Sequence, residues 1–187
     1  MPSHKFKPNC RKKMLIKIED LTPKHIINFY PPRKLCRANQ AKLFGADSVD
    51  KPQIVQNIFD ISGVERCLVS DTLLSIFYKE SAAKDDLCAL VLAELDDYLS
   101  TSPQEQDFIN AAADIDFIEA LADAFIRPTL NRDKGDISII SYQNNSLLLQ
   151  FTGHCAGCPY AQNTLNNVIA GCFRQYIPQL KDIQVKA

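Results

Sequence analysis

Apolar positions along this chain recur with two periods, and the switches between them divide it into elements. Met14-Leu15-Ile16-Lys17-Ile18 and His25-Ile26-Ile27-Asn28-Phe29-Tyr30 are strand-like runs joined by a turn at Leu21-Thr22-Pro23-Lys24. Pro31-Pro32 closes the second, because proline offers no amide to a ladder. Leu35-Cys36 then resumes extended chain. Asp50-Lys51-Pro52 predicts a helix start, a capping carboxylate followed by proline in the first turn. Ile54, Val55, Ile58 and Phe59 follow at helical spacing, and Gly63 closes the segment. Val64 to Ser70 and Leu73 to Tyr78 predict a hairpin across Asp71-Thr72. A helix from Lys84 to Leu99 is expected to place Leu87, Leu90, Val91 and Leu95 on one face.

Ser100-Thr101-Ser102-Pro103-Gln104-Glu105-Gln106 is polar, holds a proline and reads as a linker. Beyond it the pattern restarts. Asp114 to Ile126 is helical, with Ile115, Ile118, Leu121, Ala122 and Phe125 facing a core and Pro128 as the stop. Asp133-Lys134-Gly135-Asp136 is a turn. Ile137 to Tyr142 and Ser146 to Thr152 form a second hairpin across Gln143-Asn144-Asn145. A cysteine-bearing loop, a helix from Ala161 to Tyr176, Pro178 and a last short strand near Ile183 to Val185 complete the chain. The fold class expected is α+β in two small domains. A basic, disordered tail (1–13) precedes a first domain (14–99); a linker (100–113) leads to a second domain (114–187) of helix, β-hairpin, CxxC loop, helix and final strand.

Composition narrows the function classes. No apolar run approaches the ~18 residues of a membrane helix, and hydrophobic residues make up 46% of the chain, enough for a core. Net charge is −1, but residues 1–37 carry ten Lys and Arg against two Asp and Glu. That basic end lacks the interleaved aromatics of a nucleic-acid platform and reads as a solvated tail, so neither nucleic acid nor membrane is expected as a partner. Residues 1–13 have no apolar centre of a secretory signal. Seven cysteines, at 10, 36, 67, 88, 155, 158 and 172, are an odd number without a disulfide pattern. A reducing compartment is expected: the cytoplasm of a bacterium, with the mitochondrial matrix as the alternative.

The chemistry concentrates in Gly153-His154-Cys155-Ala156-Gly157-Cys158-Pro159, where Cys155 and Cys158 lie three positions apart between a strand and a helix. Two thiolates at this spacing can share a soft metal centre, and a zinc or iron–sulfur site takes four ligands. No second CxxC exists. A second subunit could supply its own pair across a two-fold axis, other cysteines of the chain could approach, or a partner thiol could fill the gap. Gly153 and Gly157 let backbone amides turn towards sulfur, and the helix N-terminus adds partial positive charge. His154 lies beside the pair and reads as a loop residue. Cys172 is fourteen residues past Cys158, about 20 Å along a helix, and with Cys36, Cys67 and Cys88 reads as core. A thioredoxin-like dithiol or a zinc-stapled interaction module would use the same motif. The chain has no P-loop, GxGxxG or Ser/His/Asp arrangement, so an enzyme is not expected.

From Asp114 to Val185 the chain resembles the C-terminal domain of NifU, found in Nfu-type iron–sulfur cluster carriers. The residues are Arg127-Pro128, Asp133-Lys134-Gly135-Asp136, Gly153 to Pro159, Thr164-Leu165 and Ile183-Gln184-Val185. Thr22-Pro23, Ile27-Asn28-Phe29 and Ile58 to Val64 look like the Nfu N-terminal domain, so the likeness covers roughly residues 14–187. The family's turn usually reads Asp-Gly-Gly-Asp, where this chain has Lys134, and Tyr160 and Ala161 replace small polar residues. The resemblance implies Cys155 and Cys158 as ligands of a [4Fe–4S] cluster, or a [2Fe–2S] cluster as the alternative. It implies a cluster-bridged homodimer that takes cargo from a donating scaffold and passes it to recipient apo-proteins.

Overall fold

The computed structural model describes residues 15–22, 24–101, 105–108, 113–156 and 168–186. The tail 1–13, Met14, Pro23, residues 102–104 and 109–112, residues 157–160 with Cys158, residues 161–167 of the helix expected from Ala161 to Tyr176, and Ala187 lie outside the described residues. Helices and strands alternate irregularly, and the fold class is α+β.

The first half builds a five-stranded antiparallel sheet from β1 (Lys17–Asp20), β2 (Ile26–Tyr30), β3 (Ala41–Gly45), β4 (Val64–Ser70) and β5 (Leu74–Tyr78) in the order β1-β2-β5-β4-β3. The central strands β2 and β5 are apolar almost throughout because both faces are covered. On one face lie α1 (Gln53–Phe59) and α2 (Lys84–Thr101), packed on Ile27, Phe29, Phe44, Leu74 and Ile76. Ile26, Leu68, Leu73 and Phe77 point the other way, into a core shared with the second half of the chain.

Several local expectations change here. The first strand runs Lys17–Asp20, later than the apolar run that suggested it. The cap of α1 is Pro52, with no side-chain bond, and Asp50 turns away with φ 56°. On α2 the buried positions are Leu87, Val91, Leu95 and Leu99. Leu90 is 53% exposed. It lies ~120° around the helix from the mean direction of those four, at ~100° per residue. Strand β3 pairs with β4 from Ala41↔Ser70 to Gly45↔Arg66, beyond the short extended bridge at Cys36. After α2, Gln106 aligns with Leu35 to Arg37: its amide donates to the Leu35 carbonyl and its carbonyl accepts from Arg37, both at 2.9 Å. Phe108 follows into the first core, edge-on to Phe44 at 5.6 Å.

The second half opens with α3 (Ile115–Leu121), capped by Asp114, whose Oδ1 accepts the Phe117 amide at 2.8 Å. A π turn (Ala122–Ile126) joins it to α4 (Arg127–Arg132). Pro128 was expected to end the helix, yet the helical path continues to Arg132. The wider turn accommodates the proline, which lies in the first turn of α4. Pro128 has no amide to offer the carbonyl four residues back, at Ala124. Asn28 Nδ2, from β2, donates to that oxygen at 3.0 Å, and Asn28 Oδ1 in turn accepts from Ser75 Oγ at 2.5 Å.

Strands β6 (Gly135–Gln143) and β7 (Ser146–Gly153) form a hairpin turning at Asn144 and Asn145, with φ 52° and 64°, the two positive values a type I′ turn needs. A bulge falls between Ile139 and Ser141. After α5 (Ala170–Tyr176), strand β8 (Asp182–Val185) lies parallel to β7. Tyr176 on α5 reaches the first half, its hydroxyl donating to the buried Asp71 carboxylate at 2.9 Å.

Candidate metal centre

The open end of the β6–β7 hairpin sets the geometry around Cys155. Gly135 and Gly153 face each other as the last register pair. Gly153 has φ 58°, and a Cβ there would stand 2.5 Å from the Lys134 carbonyl oxygen. This position therefore needs glycine on two counts. The chain then turns over His154 to Ala156, with the His154 amide donating to the Lys134 carbonyl at 2.9 Å and the Ala156 amide to the Gly153 carbonyl at 3.1 Å. The turn carries Cys155 back over the start of β6. A Cβ built on Gly135 would collide with Cys155 Sγ. The thiol is half-buried and packs against the core of the second half, while His154 is exposed.

A charged layer braces the strand beneath. Arg127 is 8% exposed. Its guanidinium meets Glu119 at 2.7 Å, Asp123 at 2.9 Å and Asp136 at 3.2 Å, and donates twice to the Ile137 carbonyl, at 3.1 and 3.3 Å. Burial works against its charge, but Glu119 and Asp123 outweigh it and hold the guanidinium's pKa above the ordinary value. Lys24 of the first half adds a second cation, 3.2 Å from Asp123 and 3.9 Å from Asp136. Asp136 and Ile137 directly follow Gly135, so Arg127 fixes the strand on which the Cys155 thiol rests. Gly135 entered the sequence reading as part of a turn, and Arg127 only as part of a resemblance. Their adjacency to the thiol depends on strand register, which spacing alone does not reveal.

Of the four cysteines read as core, Cys36 and Cys67 are buried and Cys88 and Cys172 are half-buried; Cys10 lies outside the described residues. Cys67 is fully buried, and burial pushes its thiol up. Burial pushes Cys172, which packs against the core of the second half, to about 12. Cys36 is also pushed to about 12, by burial and then by Asp71 and Glu105, and its Sγ donates to the Gln40 carbonyl at 3.3 Å. Cys88, half-buried on α2, is raised chiefly by burial. Protonated thiols of this kind are poor metal ligands. Among the described residues, no three His, Cys, Asp or Glu side chains converge as a metal cage. Cys158, the other half of the motif, lies outside the described residues.

Residues 118–184 match the model of the NifU-like domain family. The chain is similar to the protein of Drosophila persimilis described as the mitochondrial NFU1 iron-sulfur cluster scaffold homolog, with 24% identity over 93% of this chain and 66% of the relative. The protein of the same description from Drosophila grimshawi is 37% identical over 67 residues, 36% of this chain and 22% of the relative. The chain thus spans slightly less than two thirds of the length of the first of these relatives. Among solved structures, a NifU-like protein from Saccharomyces cerevisiae covers 58% of this chain and 94% of its own, at 17% identity and a TM-score of 0.46. A Staphylococcus aureus protein covers 44% and 99% respectively, at 14% identity and a TM-score of 0.36.

Proposed function

We propose that this chain, whose residues 118–184 match the NifU-like domain family and which is similar to proteins described as NFU1 iron-sulfur cluster scaffold homologs, is an Nfu-type carrier of iron–sulfur clusters. The observation that carries the reading is that this match brackets both Cys155 and Cys158, the single closely spaced thiol pair in the chain. The cluster is cargo. Cys155 and Cys158 of one chain supply two thiolates, and the same pair of a second chain supplies two more, so a [4Fe–4S] cube sits between two copies with all four irons ligated.

Such an arrangement suits release as well as holding. A recipient's thiol loses its proton and binds iron as the Cys155 thiolate leaves and takes a proton up. Repeated at each iron, this exchange moves the cube with no change in oxidation state. The position of Cys155 supports the step. Its turn ends a strand and is half-exposed, so an incoming thiol can approach from solvent. The chain acts as a carrier, taking cargo from a donating scaffold, and turns over no substrate of its own. Its similarity to a Drosophila protein described as mitochondrial favours the mitochondrial matrix over the bacterial cytoplasm as its location.

Anaerobic reconstitution with iron and sulfide tests this directly. A brown protein with about one cube per two chains is expected, and Cys155→Ser or Cys158→Ser should abolish the colour. A colourless monomer after reconstitution would overturn the proposal. Stoichiometric zinc removed only with unfolding, or turnover of a disulfide substrate, would replace it with a structural-zinc or dithiol role.

A further inference from the structure

Among the described residues, six that are not glycine have positive φ. Five of them are His25, Asn39, Asp50, Asn144 and Asn145, residue types that tolerate the left-handed region. The sixth is Lys134, with φ 55°. Lysine gains nothing there, since the left-handed backbone presses Cβ on the following carbonyl. Nor can the backbone relax. The Lys134 carbonyl accepts the His154 amide at 2.9 Å, and the next residue, Gly135, lies against Cys155 Sγ. The cysteine site therefore imposes the conformation. A strained residue held at a site points towards a use for its side chain.

The side chain offers charge. Lys134 is exposed, and among the described residues its ammonium pairs with no carboxylate. The chain from Gly153 to Phe173 contains no Asp, Glu, Lys or Arg, so the charge facing the Cys155 turn across the hairpin comes from Asp133, Lys134 and Asp136, of which Lys134 is the cation. An iron–sulfur cube held by four thiolates carries net negative charge, and charge beside a cluster governs its retention and potential.

We propose that Lys134 is an electrostatic specificity residue, whose cation beside the Cys155 turn retains anionic cargo and draws anionic reactants to the thiol. The cargo part rests on the carrier function above; the attraction of anions to Cys155 does not. Two copies meeting at a bridged cube bring two such cations to it. Salt screens the effect, because the ammonium is exposed.

The test uses the full chain and the variants Lys134→Gly, Lys134→Gln and Lys134→Arg. On the apo-protein, Cys155 is alkylated with iodoacetate, an anion, and with neutral iodoacetamide, and each rate is read by peptide mass spectrometry. The iodoacetate-to-iodoacetamide ratio should fall about twofold in Lys134→Gly and Lys134→Gln and hold in Lys134→Arg, with the difference gone near ~1 M salt. Reconstituted Lys134→Gly and Lys134→Gln should lose iron to a ferrous chelator several-fold faster than the native chain. Lys134→Gly should also unfold about 2–4 °C higher, because it sheds backbone strain. A more stable Lys134→Gly with the native alkylation ratio overturns the proposal, as does an unchanged rate of iron loss. A native chain that takes up no cluster overturns the carrier function instead, and the alkylation ratio then decides this inference alone.

Discussion

The Cys155 thiol rests on the bare α-carbon of Gly135, across the open end of the β6–β7 hairpin. Any Cβ at position 135 would take the space the sulfur fills. The smallest side chain there must push either the sulfur or the strand. The strand is pinned by Arg127 through Asp136 and the Ile137 carbonyl, so the sulfur is the part that moves.

Gly135→Ala is therefore expected to misplace the thiol while leaving the fold in place. Overpacking of this size costs about 1–3 kcal/mol. Absorbance after anaerobic reconstitution should drop to less than half the native value, while circular dichroism keeps the native spectrum. Full cluster content in the variant would show that the thiol tolerates displacement.

Asn28 supplies the donor that Pro128 denies to the Ala124 carbonyl, and it is 0% exposed. Asn28→Ala leaves that carbonyl and the Ser75 hydroxyl buried without this partner, a loss of about 2–3 kcal/mol. Restoring a backbone amide with Pro128→Ala in the same chain should recover part of it. Urea unfolding of the two single variants and the double variant measures the coupling; strict additivity would separate the two positions.

Arg127 pairs with Glu119, Asp123 and Asp136 at 2.7, 2.9 and 3.2 Å. Arg127→Met would leave these carboxylates with only Lys24 nearby. Because the acids remain partly hydrated, the loss should lie near the lower end for a broken buried pair, about 2–3 kcal/mol. Thermal unfolding should show it, and raised salt should narrow the gap between variant and native protein.

Thiols raised by burial give the stability a pH dependence at the alkaline end. Cys36 and Cys172 are raised from 9.0 to about 12, with burial the leading cause in both. An unfolded chain would release these protons first as the pH climbs past 9.0, so the native state loses its advantage between there and about 12. Below the lower value the contribution is complete. The urea midpoint should fall from pH 8 to pH 10.5, and less steeply for Cys36→Ala combined with Cys172→Ala. At pH 8 the buried Cys36 thiol should not react with a bulky disulfide reagent until the chain unfolds.

Elements whose own residues dictate them were legible in advance. Helix α2 shows its buried stripe every fourth residue from Leu87 to Leu99, and the Asn144-Asn145 turn names its hairpin. Elements decided by distant neighbours were not. Strand β3 is short and mixed in polarity, and becomes a strand because β4 offers it an edge. Pro128 reads as a stop until Asn28, a hundred positions earlier in the chain, supplies the missing donor. Leu90 appeared to belong to the buried stripe because spacings of three and four both count as helical. At the candidate site, the cysteine spacing and Gly153 carried the chemistry in one dimension. That Gly135 floors the thiol and Lys134 endures a left-handed backbone needed the pairing of β6 with β7.

The five-stranded sheet is covered on both sides, by α1 and α2 on one and by the second half of the chain on the other. Proteolysis between Phe108 and Ala113 would thus yield two pieces that each bare an oily wall, one showing Leu68, Leu73 and Phe77 and the other Ile118 and Phe173. Such pieces should be sticky when apart and should reassociate when mixed, the Tyr176 hydroxyl finding Asp71 again as the seam closes.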